Sequence, residues 1–400
     1  MSEEVSSPVG IAAEADHQDA TKRDRNRGLV YPMDERVPQT GELIEVAKDM
    51  YWARIPLPWS LDHINIYLAD EGDSWTVIDT GANTSTGREA WASLREQSLG
   101  GKPISRVVGT HLHPDHIGLA GWLIDADGGR LSMTQGEYLL AHYLWSSAAD
   151  GVADDEIAFL ISAGMKPEYI EMVKQAGFGG FKKGVHKLPR TYDRLQDGSR
   201  ITIAGAEWVV IIGRGHSPEH ACLYCAEKNL MIGGDQILPT ISSNVSVYAS
   251  EPMANPLADW ILSLHRLSLL DADPLVLPSH GRIFKGYEKR LKALIGGHDK
   301  QLQRLLRSLE EKPRSAVSAF KPLFGRVITG FDFFMALGES VAHLHTLESL
   351  GLAKREKADG VTLFSPTGKT YPDNVVGALQ TLPSRELRSI SDHGLPEKAA

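Results

Sequence analysis

The chain has 400 residues, enough for one large core or two to three domains, and 42 % of them are hydrophobic, as in an ordinary globular protein. A formal charge of −9, from 42 Lys and Arg against 51 Asp and Glu, gives no overall attraction to phosphate backbones or anionic lipid, so nucleic acid and membrane surfaces are poor partners. No run approaches the ~18 uncharged apolar residues of a membrane span, and the first 28 residues lack an apolar stretch behind a basic start, so a cytoplasmic location is expected.

Residues 1–40 mix charged and small residues without apolar period and predict a disordered arm. From there "EVAKDMYWARIPL", "HINIYLAD" and "SWTVIDTG" read as short strands broken by the turn signal "DEGD". "STGREAWASLREQS" reads as a helix, "ISRVVGTH" as a buried strand and "DHIGLAGWLIDA" as another helix, an α/β order. Residues 136–185 look helical and interrupt two strand-rich blocks, as an insertion over a cleft would. "SRITIAGAEWVVIIGRG" predicts a hairpin, followed by the strands "CLYCAE", "NLMIGGD" and "PLVLPSHG". If "ACLYCA" is a strand, Cys222 and Cys225 point to opposite faces and cannot close onto one metal, and their C-x-x-C spacing carries no chemistry. After His280 the chain turns helical, and "QLQRLLRSLE" puts Leu302, Leu305, Leu306 and Leu309 on one face. "MALGESVAHLHTLESLGLAKREKADGVTLFSP" reads as helix, turn, basic tip and strand, and the last 30 or so residues as poorly structured. The units are therefore 41–290, carrying the insertion, then 291–366 and a tail of 367–400.

Five strand-like runs end in a side chain able to bind metal: Asp79, His111, His216, Asp235 and His280. A rigid sheet edge that delivers such groups into loops is where α/β proteins build sites. In "GTHLHPDHIG", His111 and His113 flank one residue and can hold the same cation, while Asp115 and His116 point toward a neighbouring one. Completing both shells calls for His216 on the first ion, His280 on the second and Asp235 as the bridge. Asp79 is expected to orient a ligand by hydrogen bonds.

These residues resemble the H-x-H-x-D-H motif and the remaining motif positions of the metallo-β-lactamase-fold superfamily, over roughly residues 45–290 with all seven positions filled. The resemblance implies an αββα sandwich with two metals, most simply Zn²⁺ with Fe or Mn as alternatives, at one edge. Residues 290–366 are similar to the winged-helix extension of a subgroup with endoribonuclease members. Histidine at position 113 sets the chain apart from the diiron flavoproteins of the fold, and Asp235 from the true β-lactamases. The short span from Asp235 to His280 leaves no room for the inserted cap of the larger nucleases.

The expected reaction is hydrolysis of a thioester or ester, like that of glyoxalase II or acyl thioesterases: water activated between two cations attacks while one cation polarises the carbonyl. Asp115 would orient that water, Asp79 and His220 are the further catalytic candidates, with His220 as the available general acid, and His63, Asn244 and Tyr248 are candidate substrate contacts. A phosphodiesterase of the endoribonuclease kind and a lactone hydrolase are the alternatives; a non-catalytic DNA-binding regulator is the weakest. The would-be recognition helix "ESVAHLHTLESL" has Glu339 and Glu348 and no Lys or Arg, with Leu337, Val341 and Leu344 as a core stripe, so a structural or homodimer-forming role is expected of this unit. His343 and His345 are expected at its surface, and the partner of the whole chain is a small molecule.

Overall fold

The computed structural model describes residues 28–147, 151–176, 180–328, 330, 332–383 and 388–398. Strands β1 (Ile44–Ala47), β2 (Met50–Pro56), β3 (His63–Asp70) and β4 (Trp75–Ile78) run antiparallel. Helix α1 (Ser85–Gln97), capped by the Thr84 hydroxyl on the Gly87 N–H, leads into β5 (Ile104–Val108), which lies parallel to β4. The expected next helix is broken into α2 (Pro114–Ile117) and α3 (Ala120–Asp127), before β6 (Arg130–Thr134). The insertion holds α4 (Gln135–Ser147), α5 (Asp154–Ser162), α6 (Pro167–Ala176) and α7 (Gly180–Gly184). With β7 (Asp193–Leu195) the first sheet is complete, in strand order β1 to β7.

The second sheet contains β8 (Arg200–Ile203), β9 (Ala206–Gly213), β10 (His220–Cys225) and β11 (Leu230–Gly234), then, after α8 (Pro256–Ser268), β12 (Leu275–Pro278). Its order is β12-β11-β10-β9-β8. Period-2 alternation decides what each face covers. On β9, Trp208 and Val210 meet Trp52 and Tyr67 between the sheets, whereas Val209 and Ile211 pack outward on Trp260 and Leu264 of α8. On β2, Ala53 and Ile55 face outward with Trp91 and Leu94 of α1. The layers are therefore helix, sheet, sheet, helix, as expected for an αββα sandwich. Cys222 falls on the outer face and Cys225 on the inner one, and both are free thiols.

The C-terminal unit comprises α9 (Tyr287–Glu311), α10 (Phe320–Phe324), α11 (Asp332–Ser349) and an antiparallel hairpin of β13 (Ala353–Ala358) and β14 (Val361–Pro366). Leu302, Leu305, Leu306 and Leu309 are buried as their spacing predicts, and so are Leu337, Val341 and Leu344. His343 and His345 differ from expectation: both are buried, because each Nδ1 donates at 2.8 Å to a backbone carbonyl, of Glu339 and Ala254 respectively. The run "KREK" is largely exposed but is not a turn. It lies within β13, where the Arg355 guanidinium grips Glu348 and Lys354 pairs with Glu356.

The tail departs from its expected disorder: α12 (Val375–Gln380) buries Leu379, Ile390 is buried, and His393 sits 3.2 Å from Asp197. Of the expected N-terminal arm, residues 1–27 lie outside the described residues, while Val30 bridges Lys285 and Glu35 pairs with Arg282 at 2.8 Å. No described helix is long and apolar enough to cross a membrane.

Candidate metal centre

The loops that leave β4, β5, β9, β11 and β12 converge at one edge of the sandwich. His111, His113 and His216 form one group of ligand atoms, Asp115, His116 and His280 a second, and Asp235 joins His111 and His116 in a third; the ligand atoms within each group lie within 4.8 Å of one another. His111 Nε2 is 2.9 Å from His113 Nδ1 and 3.2 Å from His216 Nε2. In the other group, Asp115 Oδ2 is 3.2 Å from His280 Nε2 and 3.4 Å from His116 Nε2. Asp235 reaches both, with Oδ2 3.3 Å from His216 Nε2 and Oδ1 3.5 Å from the Nε2 atoms of His116 and His280.

The rings of His111, His116, His216 and His280 are each turned by a partner on the far nitrogen. His216 Nδ1 donates to the Asn244 carbonyl at 2.7 Å and His280 Nδ1 to the His63 carbonyl at 2.8 Å. His116 Nδ1 donates to Asp79 Oδ2 at 2.7 Å, while Thr110 Oγ1 donates to Asp79 and accepts from His111 Nδ1 at 3.1 Å. With the far proton held this way, His111 Nε2 and His216 Nε2 confront each other as bare lone pairs, an arrangement that repels unless a cation lies between them. His116 Nε2, His280 Nε2 and Asp235 Oδ1 are buried without a hydrogen-bond partner among the described residues, a cost that cation binding removes. The residues thus fit two cations sharing one carboxylate, and imidazole with carboxylate suits zinc.

Electrostatics separate the two groups. Burial, helped by neighbouring imidazoles, holds His111 well below its ordinary pKa and His113 at about 3. Burial would likewise depress His116 and His280, but carboxylates outweigh it: Asp115, Asp79 and Asp235 raise His116, and Asp235 and Asp115 raise His280. Burial would raise Asp115 and Asp235, yet the facing His116 and His280 keep both carboxyls below their usual range.

The backbone is shaped for this convergence. Asp79 adopts a left-handed φ of 59° at the end of β4, a conformation that costs roughly 1–3 kcal/mol outside glycine, and it accepts from the Thr110 N–H at 2.9 Å. Gly234, at φ 52°, precedes Asp235; a side chain there would run into the ring of His220.

The other expected residues occupy different places. His220 stacks on His111 with ring centroids 4.8 Å apart, and its Nε2 accepts from the Asp235 N–H at 3.1 Å. Fully buried and already accepting, it packs against His111 and orients the Asp235 backbone in this structure. Asp79 is buried and acts through His116 and Thr110. The Asn244 side chain turns to α11, where Nδ2 donates to Met335 O and Glu339 Oε2, both at 3.2 Å, so its carbonyl and not its amide serves the site. His63 contributes its carbonyl, and its Nε2 accepts from the Gly281 N–H at 3.3 Å. Tyr248 is 54 % exposed on the same segment as Asn244, and burial of its hydroxyl, with the Glu137 charge, raises its pKa.

Glu137 escapes a reading of motifs. Fully buried on α4, it accepts from the Leu112 N–H at 2.9 Å and the Glu219 N–H at 2.7 Å, stapling the loop of His111 and His113 to the one after His216. The available signal is a carboxylate on the buried face of α4, next to Tyr138 and one turn from Ala141.

Comparison with known proteins places this geometry in context. The family model described as "Metallo-beta-lactamase superfamily" matches residues 59–280, and that of a "Metallo-beta-lactamase-like, C-terminal domain" matches 302–367. A beta-lactamase domain protein from Burkholderia ambifaria superposes with a TM-score of 0.75 at 37 % identity, covering 85 % of this chain and 97 % of that one. The Bacillus subtilis protein named "Probable metallo-hydrolase YqjP" is 28 % identical, over 76 % of this chain and 93 % of its own. A linear primary-alkylsulfatase from Pseudomonas is 25 % identical over 53 % of this chain, and an atrochrysone carboxyl ACP thioesterase from Aspergillus fumigatus 24 % over 63 %; the matches span 40 % and 46 % of those proteins.

Proposed function

The chain belongs to the metallo-beta-lactamase superfamily and is a metallo-hydrolase, and from that premise we propose that it hydrolyses a thioester or activated ester with two zinc ions held by the seven converging ligands. When bound, two such ions lower the pKa of water and polarise a carbonyl. His111, His113 and His216 would hold one, Asp115, His116 and His280 the other, and Asp235 both. Asp115 also stands where it can orient water, and Tyr248 where it can meet substrate. In the net reaction water adds to the acyl carbon, the C–S or C–O bond breaks, and a carboxylic acid and a thiol or alcohol leave.

The observation that carries the choice of substrate is the state of His220. Its Nε2 is engaged as an acceptor, and His63, the other neighbouring imidazole outside the ligand set, likewise accepts at Nε2, from the Gly281 N–H. A leaving group that departs without strong protonation suits such a site: a thiolate does, an amide nitrogen does not. The named activity of the Aspergillus relative agrees with this reading. The phosphodiesterase and DNA-regulator alternatives need a cationic face, whereas Arg355 and Lys354 of β13 are paired with Glu348 and Glu356. Free, buried Cys222 and Cys225 suit a cytoplasmic setting.

The test is turnover of an acyl-thioester panel by purified protein of known metal content. Activity should disappear on chelation and return with zinc. Full turnover by thoroughly metal-free protein, or a metal-replete protein that cleaves alkyl sulfates but no thioester, would reject the reading.

A further inference from the structure

We infer that the C-terminal unit is a working part of the metal centre: α11 clamps the segment 243–248, whose Asn244 carbonyl fixes the ring of His216, and this makes Gly338 and Glu339 positioning residues for the three-histidine ligand set. The inference rests on the metal-centre reading above.

Residues 242–248 form no helix or strand, so no ladder of hydrogen bonds sets their position. Contacts with α11 do. Asn244 Nδ2 donates to Met335 O and to Glu339 Oε2, and Asn244 Oδ1 accepts from Ser246 Oγ at 2.5 Å. Ser246 Oγ also reaches Met335 O at 3.2 Å, and the Val247 N–H donates to Gly338 O at 3.1 Å. Gly338 makes the approach feasible: a Cβ there would stand 2.7 Å from the Ser246 Cβ and Oγ and 2.9 Å from Val247 O, closer than real side chains come.

What α11 holds is connected directly to the ligands. The Asn244 carbonyl takes the Nδ1 proton of His216, which leaves Nε2 as the lone pair facing His111. Ser243 Oγ donates to the Asp235 carbonyl, so the segment also touches the backbone of the bridging residue. The apolar stripe of α11, including Leu337, Val341 and Leu344, packs into the core separately. Stability and positioning therefore come from different faces of one helix, and substitutions can part them.

The experiment uses full-length Glu339→Ala and Gly338→Ala, with Glu339→Gln as the conservative rescue because it keeps an acceptor oxygen for Asn244. Chelator competition gives the affinity of each zinc-binding step, Co²⁺ substitution reports ligand geometry by absorption, and melting of the metal-free proteins reports stability. His216→Ala identifies the step that belongs to the three-histidine set. That step should weaken roughly 10- to 100-fold, as when a group orienting a ligand is lost, with an altered Co²⁺ spectrum, while the other step stays within about 3-fold and Glu339→Gln restores both. Unchanged affinities and spectra in Glu339→Ala and Gly338→Ala would overturn the inference. So would equal weakening of both steps in parallel with a lower melting temperature. Wild-type protein that takes up no ion would remove the metal-centre reading itself, an outcome distinct from either.

Discussion

His111, His113 and His216 meet as three imidazoles, whereas Asp115, His116 and His280 bring a carboxylate into the neighbouring space, with Asp235 giving one oxygen to each group. The histidines shifted in the first group are pushed down and stay neutral; those in the second are pushed up by carboxylates. Their supports differ as well. The first group relies on Thr110 and on the Asn244 carbonyl held by α11, the second on Asp79 and the His63 carbonyl, both from the first sheet. His216 thus depends on a part of the fold that His280 does not, whereas Thr110 and Asp79 are bonded to each other, so damage to the α11 support should be felt unequally by the two groups.

The strongest way to break that asymmetry is to remove what both groups share. Asp235→Ala should release both ions and lower kcat/KM by roughly 10³-fold, the equivalent of several kcal/mol of lost charge stabilisation; metal analysis beside kinetics checks this, and two retained ions would contradict the shared role. A smaller, one-sided effect is expected of Asp79→Asn. It weakens the hold on His116 Nδ1 directly and reaches His111 only through Thr110, so the ion of the second group should bind roughly 10- to 100-fold less tightly while the first is affected less, which chelator competition can resolve.

Glu137→Gln probes a support that serves the fold before the ions. Glutamine keeps one acceptor and sets an NH₂ against the second N–H, so unfolding free energy should fall by about 1–3 kcal/mol, read by urea denaturation of metal-free protein. The last effect is confined to a pH window. Burial raises Glu339 from 4.5 to about 7, so the folded chain keeps a proton that the unfolded chain has released between those values. The stabilisation is complete below pH 4.5 and lost as pH rises through 7. Wild-type stability should fall by on the order of 3 kcal/mol across this window relative to Glu339→Gln; parallel profiles for the two proteins would show that the shift is absent.

Legibility in the sequence followed chemical necessity. The seven candidate ligands could be read because metal binding restricts residue type and because the loops after β5, β9, β11 and β12 deliver all of them, with β4 adding Asp79 behind His116. Strand β6 was harder: "RLSMT" has no such terminal group and only a weak alternation. His343 and His345 look like surface residues on a polar helix, and only the carbonyls of Glu339 and Ala254 make their burial tolerable. The tail gave no periodic signal, yet Ile390 and His393 find partners across the fold.

Local patterning by itself determined the α/β order, the alternation that splits Cys222 from Cys225, the apolar stripes of α9 and α11 and which residues are candidate ligands, since each depends on neighbours along the chain or on donor chemistry. Tertiary structure alone decided which nitrogen of each histidine faces its partners, that His220 accepts and cannot donate at Nε2, and that α11 stands behind His216. Those outcomes rest on hydrogen bonds between residues as much as 217 positions apart, as between His280 and His63, and only the folded chain brings such pairs within reach.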